Sequence, residues 1–304
     1  MLLKNNQKLL TVSLENSLRE EQIVGRSLWH AARIRFLHNK AALVSLIILM
    51  LIALACVFGP MILTQAYEET NWSAINMAPS WQGYLFGTDA LGRDLLVRCL
   101  IGGRVSLTVG LLATAASVML GVIWGATAGF IGGKTDALMM RIVDMMYAVP
   151  YLLIAILMVT LLGRDFYLVV LTITIFSWMD MARVVRGQTL SIKSKEYIAA
   201  AHTIGASTPM IIFRHIIPNL LGIVVIYATV TVPGVILTES VLSFLGLGVQ
   251  EPMTSLGVLI QDGAGVMEST PWVLLFPAAM LSITLYCTNY IGDGLRDALD
   301  PKDR

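Results

Sequence analysis

The chain has 304 residues, 56% of them hydrophobic and 13% charged, with a net charge of +1 and a mean hydropathy of +0.75. Soluble domains carry about 25% charged residues, so this composition excludes an ordinary soluble domain and points to a membrane as solvent. The basic residues form no continuous patch for nucleic acid, and Cys56, Cys99 and Cys287 are too few and too scattered for a disulfide framework or a metal site.

The chain opens with a charged leader, residues 1–40, followed by an apolar run too long for the core of a cleavable signal peptide. Within the leader, "RSLWHAARIRFLHNK" puts Leu28, Trp29, Ala32 and Phe36 on one stripe, with Arg26, Arg33, Arg35 and Lys40 elsewhere. That pattern predicts a helix lying along lipid; the alternative is a solvated leader. Crossing a bilayer takes about 20 apolar residues. Charge-free windows of that order occur at Ala41–Leu63, Val105–Gly133, Met145–Gly163, Ile216–Thr238 and Ser269–Gly292. A sixth, Phe166–Met179, is shorter. It crosses if Asp180 and Arg183, three apart on one helical face, pair at headgroup level; otherwise it is re-entrant or buried.

Six crossings place both termini on one side. That side receives residues 1–40, the Lys134–Arg141 loop, the Arg183–Arg214 insert and the tail with Arg296, Lys302 and Arg304, together holding 17 of the 21 lysines and arginines. The stretch Glu239–Glu268 holds none. Positive charge stays cytoplasmic, so the termini and the insert are expected to face the cytoplasm. The sequence thus predicts an all-α, polytopic membrane protein with six transmembrane helices.

Gly121, Gly125 and Gly129 recur at four-residue intervals in the second span, a spacing that lets two helix backbones approach closely, within the subunit or across a partner. Pro150, Pro233 and Pro277 each remove a backbone donor and are kink sites in spans three, five and six. "GFIGGKT" (Gly129–Thr135) ends like a phosphate loop, but Ala128 stands where the motif needs glycine and an apolar helix replaces the preceding strand, so no nucleotide site is expected. No metal-protease spacing and no nucleophile elbow is present, and His30, His38, His202 and His215 read as surface residues near basic neighbours. The chain is expected to catalyse nothing itself and to bind no metal or cofactor.

The candidate ionisable groups near the membrane are Glu239 at the outer end of span five, Asp144 at the inner end of span three, and Asp180 with Arg183. All fall near predicted interfaces, where snorkelling lowers their cost, and none forms an internal relay. This speaks against an ion-coupled carrier, as does the lack of an internal repeat. The driving force for transport is then expected from outside the chain.

"SKEYIAAAHTIGASTPMIIFRHIIPN" (Ser194–Asn219) is the most informative stretch. Lys195–Ile204 reads as a helix with Glu196 near its positive end, and Gly205 stands where a left-handed residue ends it. Ser207 or Thr208 caps a second helix with Pro209 in its first turn. Arg214 and His215 close that helix, and Pro218 opens span five. Ile198, Met210, Ile211 and Ile212 form an apolar stripe that wants a groove, supplied by another protein or by the membrane bundle itself.

This insert resembles the cytoplasmic signature of permease subunits of bacterial ATP-binding-cassette importers, in which Glu-Ala-Ala is followed after three residues by Gly and after nine more by Ile-x-Leu-Pro. Here Ala199-Ala200-Ala201, Gly205, His215-Ile216-Ile217 and Pro218 align; Ala199 replaces the glutamate and His215 the isoleucine. "FGTDALGRD" (Phe86–Asp94), "GGKTDALMMRIVDMMYAVP" (Gly132–Pro150), "LSFLGLGVQEP" (Leu242–Pro252) and "GDGLRDALDPK" (Gly292–Lys302) resemble the peptide and nickel branch of that family, and the leader leans toward its oligopeptide C-type subunit. The resemblance implies a type I importer permease fold: the leader, a first span at 41–63, an external segment at 64–104, a core domain at 105–292 with a coupling hairpin at 187–218, and a tail at 293–304. It also implies a heterodimer with a second permease subunit, two cytoplasmic ATPase subunits holding ATP and Mg, and an external solute-binding protein delivering peptide at the bacterial inner membrane. Residues 64–103 and 239–268 would form part of that protein's docking face, with Gln250 and Thr254 in cross-linking reach. Oligopeptides are the expected solute, with dipeptides, nickel chelates or antimicrobial peptides as alternatives within the family. An ion-coupled carrier is the alternative outside it, and a scaffold without transport leaves the ordered motifs unexplained.

Overall fold

The computed structural model describes residues 28–63 and 69–299. Arg26, Lys302 and Arg304, with the rest of 1–27, 64–68 and 300–304, lie outside the described residues. Among the described residues, the secondary structure is helical, with one isolated antiparallel bridge, Thr88 to Asp94.

Helix α1 (Leu28–His38) is followed at once by α2 (Lys40–Ile62), whose first turn is capped by Asn39 accepting from the Ala42 N–H at 3.2 Å. A folded segment leads to α3 (Leu95–Ile131), a 37-residue helix capped by Asp94 through the N–H groups of Leu96 and Val97. Then come α4 (Gly133–Ala148), α5 (Tyr151–Leu162) and α6 (Phe166–Lys193). After α6 the chain forms α7 (Glu196–Thr203) and α8 (Thr208–Ile211), runs through a π turn at Ile212–Ile216, and continues as α9 (Ile217–Phe244). Helices α10 (Leu256–Ala264) and α11 (Trp272–Leu299) complete the bundle.

Among the described residues, five helical stretches are long and apolar enough to cross a membrane: α2, α3, α6, the continuous stretch Thr208–Phe244, and α11. The bent pair α4–α5 makes a sixth if it counts as one span. Its two halves meet at 85° around Val149 and Pro150. The proline kink expected at Pro150 is therefore a break, and the window Met145–Gly163 is not one straight helix. The expected Lys134–Arg141 loop is also helical, as the first half of α4. Helices α9 and α11 run unbroken through Pro233 and Pro277.

Helix α3 is central: it packs along α6 most extensively, and against α9, α2 and α10. Glycine makes that approach possible. A Cβ on Gly121 would fall 2.7 Å from the Trp178 carbonyl oxygen, one on Gly129 2.9 Å from the Arg186 carbonyl oxygen, and one on Gly125 onto the Ala182 carbonyl oxygen. The glycine stripe is thus an intrasubunit seam between α3 and α6. It also explains why α6 is far longer than its charge-free window: Met181, Ala182 and Val185, beyond the first charge, are buried against α3.

The leader stripe is divided. Ala32 is buried and Phe36 is half-buried, its ring near the position of a Cβ on Gly294 of α11, while Trp29 is exposed.

Candidate functional site

The hairpin between α6 and α9 is built much as its sequence suggests. Gly205 adopts φ +85°, the left-handed conformation that ends α7, and its N–H donates to the His202 carbonyl at 3.0 Å. Ser207 occupies the cap position before α8, without a side-chain cap bond, and Pro209 lies in the first turn. Two expectations change. Residues 187–193 are the last turns of α6, so the hairpin proper starts at Ser194. Arg214 and His215 do not close a helix, because both lie in the π turn that carries α8 into α9, and Pro218 falls in the first turn of α9 without a break in the helical stretch.

The apolar stripe is also divided. Ile198, Ala201, Ile211, Ile212 and Ile216 are buried against Val122, Ala126, Phe130, Met181 and Val185, so the hairpin is clamped to the bundle. His202 stacks on Phe130 with parallel rings 5.7 Å apart. What remains outward is Ile204, 84% exposed, Phe213, 61% exposed, and Met210, 50% exposed, together with Tyr197, Ala199, Ala200, Glu196 and Pro218. Burying a large apolar side chain contributes about 1.5–3 kcal/mol, so this rigid crest is a ready contact surface.

Asp180 and Arg183 do not pair with each other. Arg183 reaches Asp144 of α4 at 2.8 Å and lies 4.2 Å above the Tyr147 ring, while the Tyr147 hydroxyl donates to Asp180. Asp180 stands near the midpoint of the 28-residue α6, not at its end. Asp136, at the start of α4, binds Arg186 of α6 through two bonds of 2.5 and 2.7 Å. Asp136, Asp144 and Tyr147 thus tie α4 to α6. Beside Asp180 an open cleft of about 460 Å³ runs between α6 and α9, lined among others by Ser177, Arg183, Tyr227, Thr231 and Gly234.

Glu239 is not an exposed, snorkelling group. It is fully buried in α9 and accepts hydrogen bonds from Ser106 of α3 at 2.8 Å, Ser243 at 2.7 Å and Ser240 at 3.4 Å. The Ser106 hydroxyl oxygen in turn accepts from the Leu256 N–H at 3.2 Å, pinning the start of α10. Glu239→Leu leaves these hydroxyls without an acceptor and should lower stability by about 1–3 kcal/mol, with Glu239→Gln costing less; thermal unfolding of the purified protein measures both.

At the opposite end from the hairpin, residues 69–94 fold over the start of α3. Asp89 binds Arg98, which is almost wholly buried, and accepts from Arg93 Nε at 2.7 Å; Arg93 also reaches Glu251 at 2.7 Å. Trp272 of α11 donates to the Thr88 carbonyl at 3.3 Å, and Phe86 stacks on Phe276 at 4.0 Å. Burial alone would raise the Asp89 carboxyl, but hydrogen bonds from Arg93 and the charges of Arg98 and Arg93 hold it below the usual carboxylate range. A depressed native value means that the stability it contributes is present above the unfolded value near 3.8 and is lost as pH falls through the native one. Removing one member of a buried pair costs about 3–5 kcal/mol. Arg98→Met should therefore destabilise strongly at pH 7, and Asp89→Asn should flatten the acid limb of a melting-temperature profile against pH.

Of the expected outer face, residues 95–103 belong to α3 and are mostly buried; of the two cross-linking positions Thr254 is buried and Gln250 is exposed. The Asp89–Arg93–Arg98–Glu251 network went unread in the sequence. Its signal was Arg98, a charge between apolar residues in the first turn of a membrane-length helix.

A bundle of apolar helices, several of them long enough to cross a bilayer, with a hairpin that turns an apolar crest outward, fits a multi-pass membrane protein. The chain belongs to the family described as the binding-protein-dependent transport system inner membrane component, which residues 117–304 match; residues 27–79 match the N-terminal transmembrane domain of oligopeptide transport permease C. It is 53% identical over 94% of its length to an oligopeptide transport system permease protein of Haemophilus influenzae, covering 93% of that protein. It is 52% identical to the Escherichia coli K12 protein of the same description, over all of both chains. A Bacillus subtilis protein of that description is 46% identical over 91% of each chain.

Proposed function

We propose that this chain is one of two permease subunits of an ATP-driven importer in the bacterial inner membrane, and that its solute is an oligopeptide handed over by an external binding protein. The observation that carries the reading is the 52% identity, over the full length of both chains, to a protein named as an oligopeptide transport permease. The distribution of lysine and arginine supports an orientation with the termini and hairpin in the cytoplasm. The hairpin then meets a separate ATPase subunit, which supplies ATP and Mg binding, and its crest of Ile204, Met210 and Phe213 fills a groove there.

Mechanically, the hairpin is joined to α6 and α9 without a flexible linker. Ile198, Ile211 and Ile212 are packed against α3 and α6, so a displacement of the crest moves the ends of these helices together. Closure of an ATPase pair would convert this into alternating access, by rocking helix groups between two packings.

Uptake of a labelled oligopeptide into right-side-out vesicles, with the binding protein present, tests the reading. Uptake should require internal ATP and survive collapse of the ion gradients by ionophores. Uptake that persists without ATP and stops with the ionophore would assign the chain to ion-coupled carriers instead.

A further inference from the structure

The open cleft between α6 and α9 has chemistry that the hairpin and the outer network do not explain. Asp180, Asp144 and Arg183 are all substantially exposed beside it, the latter two with 59% and 47% of their side chains accessible. Asp180 stands near the middle of a helix long and apolar enough to cross a bilayer. Ionised side chains turned toward hydrocarbon are costly and are found instead at the membrane surface or on water-filled cavities. Asp180 closes the apolar half of α6, which continues with Arg183, Arg186 and Lys193, so this face of the bundle borders water at the end of the span.

The charges around the cleft do not cancel. Arg183 is committed to Asp144 at 2.8 Å and Arg186 to Asp136, whereas among the described residues Asp180 receives only the Tyr147 hydroxyl. Among the described residues no lysine, arginine or histidine lies within 4.0 Å of Asp180. One negative charge is thus left over in an open, half-polar cleft of about 460 Å³, within the range of sites that hold small ligands. The cleft floor adds hydroxyls from Ser177, Tyr227 and Thr231, and Gly234 leaves it open where a side chain would otherwise project.

We propose that this cleft is a solute-binding site on the translocation pathway and that Asp180 receives a cationic group there, the protonated amino terminus of a peptide. The assignment rests on the permease reading above and adds to it a site, a residue and a chemical class. Arg183 has a positioning part: held by Asp144, it keeps Tyr147 against Asp180 and leaves the charge of Asp180 available. A cationic end entering the cleft exchanges its water for a charge-assisted hydrogen bond and for the hydroxyls that line the walls.

The test uses the assembled transporter in lipid nanodiscs, carrying Gly234→Cys. A Cβ at this position meets nothing within 4 Å, so the new thiol enters open space. Labelling of that thiol by a small water-soluble methanethiosulfonate is followed while trialanine or N-acetyl-trialanine is added directly. Trialanine should protect at a concentration about 10-fold or more below that of the acetylated peptide, the scale of one charge-assisted contact. In a Gly234→Cys, Asp180→Asn background the two peptides should protect equally, and Asp180→Glu should restore the difference. Equal protection in the parent, no protection by either peptide, or a thiol hidden from the reagent by a neighbouring subunit would each overturn the assignment. Trialanine uptake by the same complex is measured alongside: uptake without protection removes the cleft and leaves the permease reading, while absence of uptake removes the peptide reading itself.

Discussion

Glutamate at both Ile204 and Phe213 is expected to bring ATP-dependent peptide uptake close to background without unfolding the protein. The two side chains are 84% and 61% exposed, so neither contributes core packing, and the melting temperature of the isolated subunit should not move. If the crest docks as proposed, they are its most exposed apolar groups and have the most surface to lose on docking. Loss of an interface anchor costs about 2 kcal/mol or more, roughly a 30-fold weakening for each, and the double change also introduces charge into an apolar contact. Gly205→Pro should act differently. Proline cannot adopt φ +85° and lacks the N–H that Gly205 donates to His202, so the turn itself rearranges. Co-purification of the ATPase subunit separates the cases: it is lost with the glutamates if the crest is the docking surface, and retained if coupling runs elsewhere.

The second large effect is expected at the α3–α6 seam. Gly125→Leu forces a side chain onto the Ala182 carbonyl and the Arg186 amide nitrogen, 2.9 Å from the latter, and a helix backbone cannot yield as a flexible side chain can. Overpacking in ordinary cores costs about 1–3 kcal/mol; against backbone the cost should exceed that range, and the subunit should fail to reach its folded, detergent-stable form. Gly187→Ala is the matched control. It lies in α6, a Cβ there meets nothing within 4 Å, and replacing a helical glycine with alanine is worth up to about 1 kcal/mol of stability. Thermal unfolding should therefore rank Gly187→Ala at or above the parent and Gly125→Leu far below it. Equal behaviour of the two variants would mean that α3 and α6 do not meet along the glycine stripe.

Features set by local chemistry were readable from the sequence. The apolar windows overlap the five membrane-length helices, though not the break at Val149–Pro150; Gly205 marked the hairpin turn through its backbone requirement, and the glycine spacing announced a close helix contact. Features set by tertiary partners were not. The glycine repeat could not say whether its partner was α6 or another chain. The window Phe166–Met179 ended at Asp180 because a hydropathy reading stops at charge, whereas α6 continues because Asp136 and Tyr147 of α4 supply partners for Arg186 and Asp180. Glu239 looked like an interfacial group for the same reason, since its serine partner Ser106 lies 133 residues away. The stripe Ile198, Met210, Ile211 and Ile212 formed one pattern in the sequence, yet Ile198, Ile211 and Ile212 face inward and Met210 outward, and the outward Ile204 and Phe213 lay outside it, a division that depends on how the hairpin packs against α3 and α6.

Reconstitution tests the central claim most directly. Proteoliposomes holding the two permease subunits, the ATPase pair and the binding protein should accumulate labelled oligopeptide with ATP on the hairpin side, and identical liposomes without the ATPase pair should accumulate none. Accumulation of peptide by the permease subunits alone would contradict the proposal that work enters this protein through its hairpin.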